Sequence, residues 1–236
     1  MSNDDQIQTL QKQVDDLSRQ VGILQDEQAV RKLQHSYGYY LDKCLYNEVV
    51  ALFAEDSEVR FMRGVFKGKA GVKRLYLERF GQNFTSGKNG PMFGFLLDHP
   101  QYQDIVDVAP DRSIARARFR CCMQAGLHHS AGGETRQWWE GGLYENTYVR
   151  EDGVWKIKVL NYRPVFHGTF EHGWAYTKPN FVPFYTEADT FPGNPLGPDE
   201  VDLEPVLWPD IDVLPFHYNH PVTGEEWTKG TMLQKK

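Results

Sequence analysis

Asp42, the last residue of the string HSYGYYLD, is the first place where this sequence can do chemistry. His35, Tyr39, Asp42 and Tyr46 follow one another at offsets of four, three and four, so a helix carries all of them on one side. Gly38 sits one turn before Asp42, where a helix gains nothing from glycine unless another group must come close. Two phenols and a glycine around a carboxylate leave two readings open, a solvated face or the wall of a cavity. His35 taken alone fits the solvated one. In a cavity a carboxylate can take or orient a proton, and Tyr37, Tyr39 or Tyr40 could hydrogen-bond a leaving hydroxyl or a phenolate. Phe61, Met123, Trp138 and Tyr144 would suit the lining around a planar substrate, with Asn161 and His129 as polar anchors.

The elements that must position these residues change character along the chain. Ile7, Leu10, Val14, Leu17, Val21 and Leu24 form a heptad seam with β-branched residues at a and leucine at d, in a polar arm over residues 1–27. It predicts either an oligomerising coiled coil or an amphipathic arm lying on its own or a neighbouring domain. A second helix is expected from Glu27 to Tyr46, with Val30, Leu33, Tyr37, Tyr40 and Cys44 toward the core. Asn47 reads as the N-cap of a short helix, Glu58–Met62 as a strand with Val59 and Phe61 inward, and Val72–Phe80 as a third helix. A glycine-rich loop, 81–91, follows. The period then becomes two: strands are expected at 101–108 and 113–127, and a hairpin at 137–150 and 154–162 across Glu151-Asp152-Gly153. In the long strand Ala115, Ala117, Phe119, Cys121, Met123 and Ala125 share the inner face. Arg116, Arg118 and Arg120 share the outer, read as an exposed or subunit-facing surface. Helices followed by a meander predict an α+β fold with a sheet wrapped over helices.

Beyond Arg163 lie ten of the thirteen prolines, interleaved with aromatic residues. So many rings predict an ordered, irregular extension over 164–236 that wraps the domain or a neighbouring subunit, not a disordered tail. The net charge of −6 has no basic tract, which excludes nucleic acid and anionic membranes as natural partners. No apolar run approaches eighteen residues and the start MSNDDQ has no signal-peptide character. Three cysteines make no disulfide framework, so a cytoplasmic protein is expected. Eight histidines show neither HExxH-like nor cysteine-pair spacing, and phosphate-loop, dinucleotide and nucleophile-elbow motifs are absent, so neither a metal nor a cofactor is expected.

YGYYLD followed by VVALFAEDSEV resembles the opening helices and first strand of the NTF2-like superfamily, in particular its SnoaL-like enzymes. GGLYENTYVREDGVWKIKVLN resembles the last hairpin of that family, close to that of hexachlorocyclohexane dehydrochlorinase. The resemblance covers about residues 28–163 and implies a cone-shaped barrel, a curved antiparallel sheet over helices, as the catalytic domain. It implies that Asp42 is the acidic residue these lyases and dehydratases keep on the first helix, and that His99, in LLDHPQY, is at or beside their catalytic histidine. Tyr37 matches a tyrosine used by the bile-acid dehydratases of this fold, although the helical wheel places Tyr39 nearer to Asp42. The extension is similar to that of longer SnoaL-like proteins of aromatic catabolism, including the γ-formaldehyde lyases of lignin-derived dimers.

A histidine takes and returns protons near neutrality, and a carboxylate beside it fixes the tautomer and stabilises the imidazolium. The resemblance therefore implies a cofactor-independent lyase acting on a phenolic aromatic substrate, with release of formaldehyde from a diarylpropane-type dimer. A dehydratase, dehydrochlorinase or isomerase on the same scaffold, or a non-catalytic ligand-binding domain, remains the alternative. Relatives of this kind are often trimers or dimers, so a homo-oligomer is expected.

Overall fold

The computed structural model describes residues 2–177, 183–202 and 206–228. The parts of the aromatic extension at 178–182, 203–205 and 229–236 lie outside the described residues. The arm and the second helix predicted from the sequence are one helix, α1 (Asn3–Asp42), started by a capping box between Ser2 and Asp5. No cap or proline interrupts residue 27, so the pattern change there marks a change of environment rather than an end. The six seam residues are 51–63% exposed, whereas Val30, Gln34, Tyr37, Gly38 and Leu41 in the second half are buried. The arm therefore does not pack its seam on its own domain.

After α1 comes α2 (Tyr46–Ala51), whose N-cap position is Leu45. Asn47 lies inside the first turn, and its backbone N–H is taken by Asn89 Oδ1 at 3.0 Å, a side chain from the glycine-rich loop. Strands β1 (Phe53–Phe61) and β2 (Gly64–Lys67) form a hairpin. β1 begins five residues earlier than predicted, because a register shift between Phe53 and Glu58 breaks the alternation in its first half. A helical stretch follows as α3 (Gly68–Lys73), a π-helical segment (Arg74–Phe80) and α4 (Gly81–Thr85). Then come β3 (Phe95–Asp98), β4 (Gln101–Val108), β5 (Ile114–Leu127), β6 (Arg136–Glu151), β7 (Val154–Thr169) and the short β8 (Glu200–Val201).

The strands make one curved sheet in the order β3-β5-β6-β7-β1-β2-β8, with β4 also paired to β5. The sheet is mixed rather than wholly antiparallel, since β1 runs parallel to β7, and it is open, ending at β3/β4 on one side and β8 on the other. Its concave face covers the second half of α1. Ala115, Ala117, Phe119, Cys121 and Ala125 are buried on that face as the two-residue period predicts. On the opposite face Arg116 and Arg120 are exposed, but Arg118 is buried. Arg118 donates to Glu145 Oε2 at 2.5 Å and to the carbonyls of Leu214 and Pro215 at 2.9 and 2.7 Å, and lies over the Phe216 ring. This arginine holds the extension to the outside of its own sheet.

A polar ladder fixes α1 along its axis. Asp26 is 4% exposed and accepts from Arg112 Nε at 2.5 Å and Trp155 Nε1 at 3.0 Å, with Arg150 Nη1 at 3.4 Å. Two turns on, Gln34 Oε1 accepts from Tyr148 and Asn146 at 2.8 and 3.0 Å, and its amide donates to Gln101 at 2.9 Å. The arginines and the Trp155 indole hold the Asp26 carboxyl below the usual carboxylate range, although its burial pushes the other way. A lowered value means stability that is present above the ordinary carboxylate pKa and lost as pH falls through the lowered one. Asp26→Asn should cost about 1–3 kcal/mol at pH 7 and remove part of the acid-side loss of stability, read by urea unfolding between pH 2 and 7.

Candidate active site

His99 sits at the corner between β3 and β4, 4% exposed, and its environment dictates its tautomer. Asp42, the last residue of α1, accepts from the His99 backbone N–H at 3.1 Å and faces Nδ1 at 3.2 Å. A carboxylate oxygen can only accept here, so Nδ1 carries the proton. The Gln101 amide nitrogen donates to the His99 carbonyl at 3.1 Å, which fixes its orientation and points it at Nε2 from 3.2 Å. Nε2 also faces the Tyr144 hydroxyl at 2.7 Å. With an amide donor and a phenol donor beside it, Nε2 is the basic lone pair of the site. Gln101 also explains Gly38: a Cβ there would lie 2.8 Å from Gln101 Cγ, so only glycine lets this side chain pass over the helix to His99.

His99 lines a cavity of about 430 Å³. Phe61, Phe80, Met123, Trp138 and Tyr144 supply its apolar walls, and Phe61 stacks on Tyr162 with centroids 6.2 Å apart. Leu75, Tyr76, Arg79 and Phe80 reach it from the π-helical segment. Pro183, Phe184, Tyr185 and Asp189 close part of the mouth, so the extension wraps the cavity of its own chain. That segment is held by Arg74, which meets the Gly197 carbonyl at 2.8 Å and Asp199 at 2.5 Å, and by Arg79 over the Tyr185 ring.

Several residues expected at the site lie there. Tyr37 is buried, with its ring 6.5 Å from that of His99 and its hydroxyl 3.0 Å from Tyr76. Phe61, Met123, Trp138 and Tyr144 line the cavity. Others do not. Tyr39 is 75% exposed and points away, because α1 turns Tyr37 and Leu41 inward. Tyr40 is half-buried against the core without reaching the cavity, and His35 packs edge-on against Phe119 rather than in solvent. His129 is exposed, its ring tilted against that of His128 in a separate surface depression lined by β3, β5 and β6. Asn161 lies outside the cavity, its backbone N–H donated to Asn146 at 2.9 Å. Asp42 stands behind His99 and acts on the cavity only through it.

Among the cavity residues that escaped the reading of the sequence are Tyr76, Glu140, Tyr162 and His167. Glu140 is 5% exposed; Tyr162 donates to its Oε1 at 2.5 Å, and His167 Nδ1 stands 3.7 Å from Oε2. Burial pushes the Glu140 carboxyl up to about 7 despite the Tyr162 hydrogen bond, and burial with the Arg136 charge pushes His167 down to about 4. Tyr37, Tyr76, Tyr144 and Tyr162 are raised well above the ordinary phenol value, chiefly by burial, and stay protonated donors at neutral pH. Buried Cys121 is pushed up to about 12, so its thiol is no nucleophile. The alternation of β6 carried a signal for Glu140, which shares parity with Trp138 and Tyr144. Tyr76 also had a signal, lying four residues after Val72 and one after Leu75 on the inward stripe of the predicted helix. Among the described residues no three His, Cys, Asp or Glu side chains come together as metal ligands.

A curved sheet laid over a long helix, around a cavity with a histidine–carboxylate pair at its wall, is an α+β domain suited to holding a small molecule. The chain belongs to the SnoaL-like family: the model of the SnoaL-like domain matches residues 22–161. Among solved structures it is similar to LinA, at 16% identity with a TM-score of 0.52 over 70% of this chain and 99% of that one. It is also similar to the hexachlorocyclohexane dehydrochlorinase LinA-type3 of Novosphingobium barchaimii, at 18% identity and a TM-score of 0.50 over 68% and 96%. No curated protein matches the sequence.

A carboxyl whose proton the fold holds more tightly contributes stability that is complete below the ordinary carboxylate pKa and is lost as pH rises through about 7. Glu140→Gln keeps the shape and cannot ionise. Its stability should equal the wild type's at pH ~3.5 and exceed it by about 2–4 kcal/mol at pH ~8.5, read from denaturant midpoints.

Proposed function

We propose that the protein is a cofactor-independent lyase acting on a phenolic aromatic compound, with His99 as the base. The observation that carries this reading is the His99 Nε2 lone pair at the wall of a 430 Å³ aromatic cavity, with Asp42 fixing the ring from behind. That volume lies within the range that takes a small organic ligand. His99 removes the proton of a substrate phenol, directly or through the Tyr144 hydroxyl, and Asp42 stabilises the imidazolium that forms. The electron pair pushed into the ring expels a benzylic hydroxyl and gives a quinone methide. In a diarylpropane diol that electron sink lets the hydroxymethyl group leave as formaldehyde, and a stilbene results. Membership of the SnoaL-like family, the length of the aromatic wall and the closing segment at 183–189 support this substrate class. The three free cysteines suit a reducing compartment, and the cytoplasm is the proposed location.

The test is incubation with phenolic diarylpropane diols, following formaldehyde and the growth of stilbene absorbance. Wild-type protein should release both in equal amounts. His99→Ala and Asp42→Asn should each lower kcat by about 10²–10⁴-fold with an unchanged fold. Water loss without formaldehyde would make the enzyme a plain dehydratase, and normal rates in both variants would remove the pair from the chemistry.

The exposed seam of α1 is the proposed contact with a second copy of this chain, since β-branched a and leucine d positions favour two parallel strands. Leu10→Glu with Leu17→Glu should halve the mass measured by light scattering. A mass unaffected by the double change would rule the seam out.

A further inference from the structure

Glu140 is a buried carboxyl that the chemistry above leaves idle, yet it lines the same cavity as His99. The two stand apart in a defined way. Tyr144, which contacts His99 Nε2, and Glu140 share one face of β6 and are four residues apart, so their Cα atoms are about 13 Å apart along the strand. Gly142 lies between them. A Cβ on Gly142 would sit 2.5–2.6 Å from the Tyr162 ring and hydroxyl, so glycine is what lets Tyr162 lie across β6 and reach Glu140. Its other flank is His167, 3.7 Å from Oε2, with Trp138 beside it in the lining. The cavity thus has two proton-handling ends joined by an aromatic wall. Such an arrangement fits an elongated substrate with a phenol at one end and an alcohol at the other.

We propose that Glu140 is a second catalytic residue, which protonates the departing hydroxyl of the substrate at the end of the cavity remote from His99. This rests on the lyase reading and deepens it. In the first step the Glu140 proton passes to the benzylic oxygen and the C–O bond breaks with its electron pair on that oxygen, so water leaves. His99 takes the phenol proton at the other end, and the O–H pair becomes the quinone methide carbonyl. In the second step the Glu140 carboxylate takes the proton of the remaining hydroxymethyl group. The C–C bond breaks, its electron pair restores the aromatic ring, and the phenolate recovers its proton from His99. Both groups end as they began, and the sum is diol to stilbene, formaldehyde and water, with no oxidant or reductant. Tyr162 is the positioning residue, directing Oε1 away and leaving Oε2 for the substrate. The carboxyl rises to about 7 by burial, so both its acid and its base forms are accessible near neutrality.

The experiment pairs turnover with infrared spectroscopy of the whole chain. Glu140→Gln, which keeps the packing, should lower kcat at least about 100-fold with KM within about threefold. Tyr162→Phe removes a bond that favours the carboxylate and should move the alkaline limb of the kcat profile to higher pH. The carbonyl band of a protonated carboxylic acid should be present at pH 6, absent in Glu140→Gln, and shifted when a para-hydroxylated stilbene is added to wild type. Near-normal turnover by Glu140→Gln, with His99→Ala inactive, overturns the proposal and leaves the lyase reading standing. A wild type that turns over no diol but shows the shifted band ends the lyase reading and supports a ligand-facing acid at Glu140. A band that the stilbene does not move overturns the proposal in either case.

Discussion

The contact between Asp42 and His99 joins the end of the first helix to the corner between two strands 57 residues later. One carboxylate holds both the backbone and the ring of His99, so the position of the helix end sets the direction of the lone pair at Nε2. A slip of α1 by a single turn, 5.4 Å, would carry Asp42 out of reach. The rest of the interior resists that slip. Asp26 ties the helix to Arg112, Arg150 and Trp155, and Gln34 ties it to Tyr148, Asn146 and Gln101. A side-chain network satisfied at each member specifies one arrangement, whereas an apolar helix face alone could slide.

The same constraint gives the cavity its electrostatic character. Phenols dominate its inner wall, and burial keeps them protonated, so they donate hydrogen bonds without adding charge. The Asp42 charge is kept behind His99, out of the lining, whereas Arg79, Arg136 and Asp189 bring charge to other parts of the wall. A wall rich in phenol donors suits a phenol or alcohol whose oxygen becomes negative during reaction, since donors already in place need not reorganise.

The aromatic extension completes the enclosure by a different kind of bond. Its carbonyls and carboxylates are gripped by arginines of the domain, among them Arg74 and Arg79 at the mouth, Arg60 at Asp202, and Arg118 on the outside of the sheet. Arginine offers several donors in a planar fork and can bind backbone carbonyls of a segment that has no strand or helix of its own. This is how a chain segment rich in proline, poor in amide donors, is fixed against a sheet. The outer stripe of β5, which alternation alone assigns to solvent or a subunit contact, holds that anchor at one of its three arginines.

The sequence by itself determined the α+β order, the inward face of β5 and the β6–β7 turn, because these depend on periods of two and 3.6 and on local turn chemistry, whereas the stripe of His35, Tyr39, Asp42 and Tyr46 did not hold together. His99 came into view only through resemblance to a family, and Tyr37, which helical spacing turns toward the core, was linked to the site only by that resemblance. Tertiary structure decided the rest. Which tyrosine looks inward depends on the rotation of α1 about its axis, and the buried ties at Asp26 and Gln34 fix that rotation through residues more than sixty positions away. The parallel pairing of β1 with β7 joins segments about a hundred residues apart, and the register shift in β1 breaks the alternation that makes a strand readable. Glu140 was present in a legible alternation, but its importance comes from the Tyr162 ring that Gly142 admits and from the loss of water around it. Burial is a property of the folded chain, and no residue carries it alone.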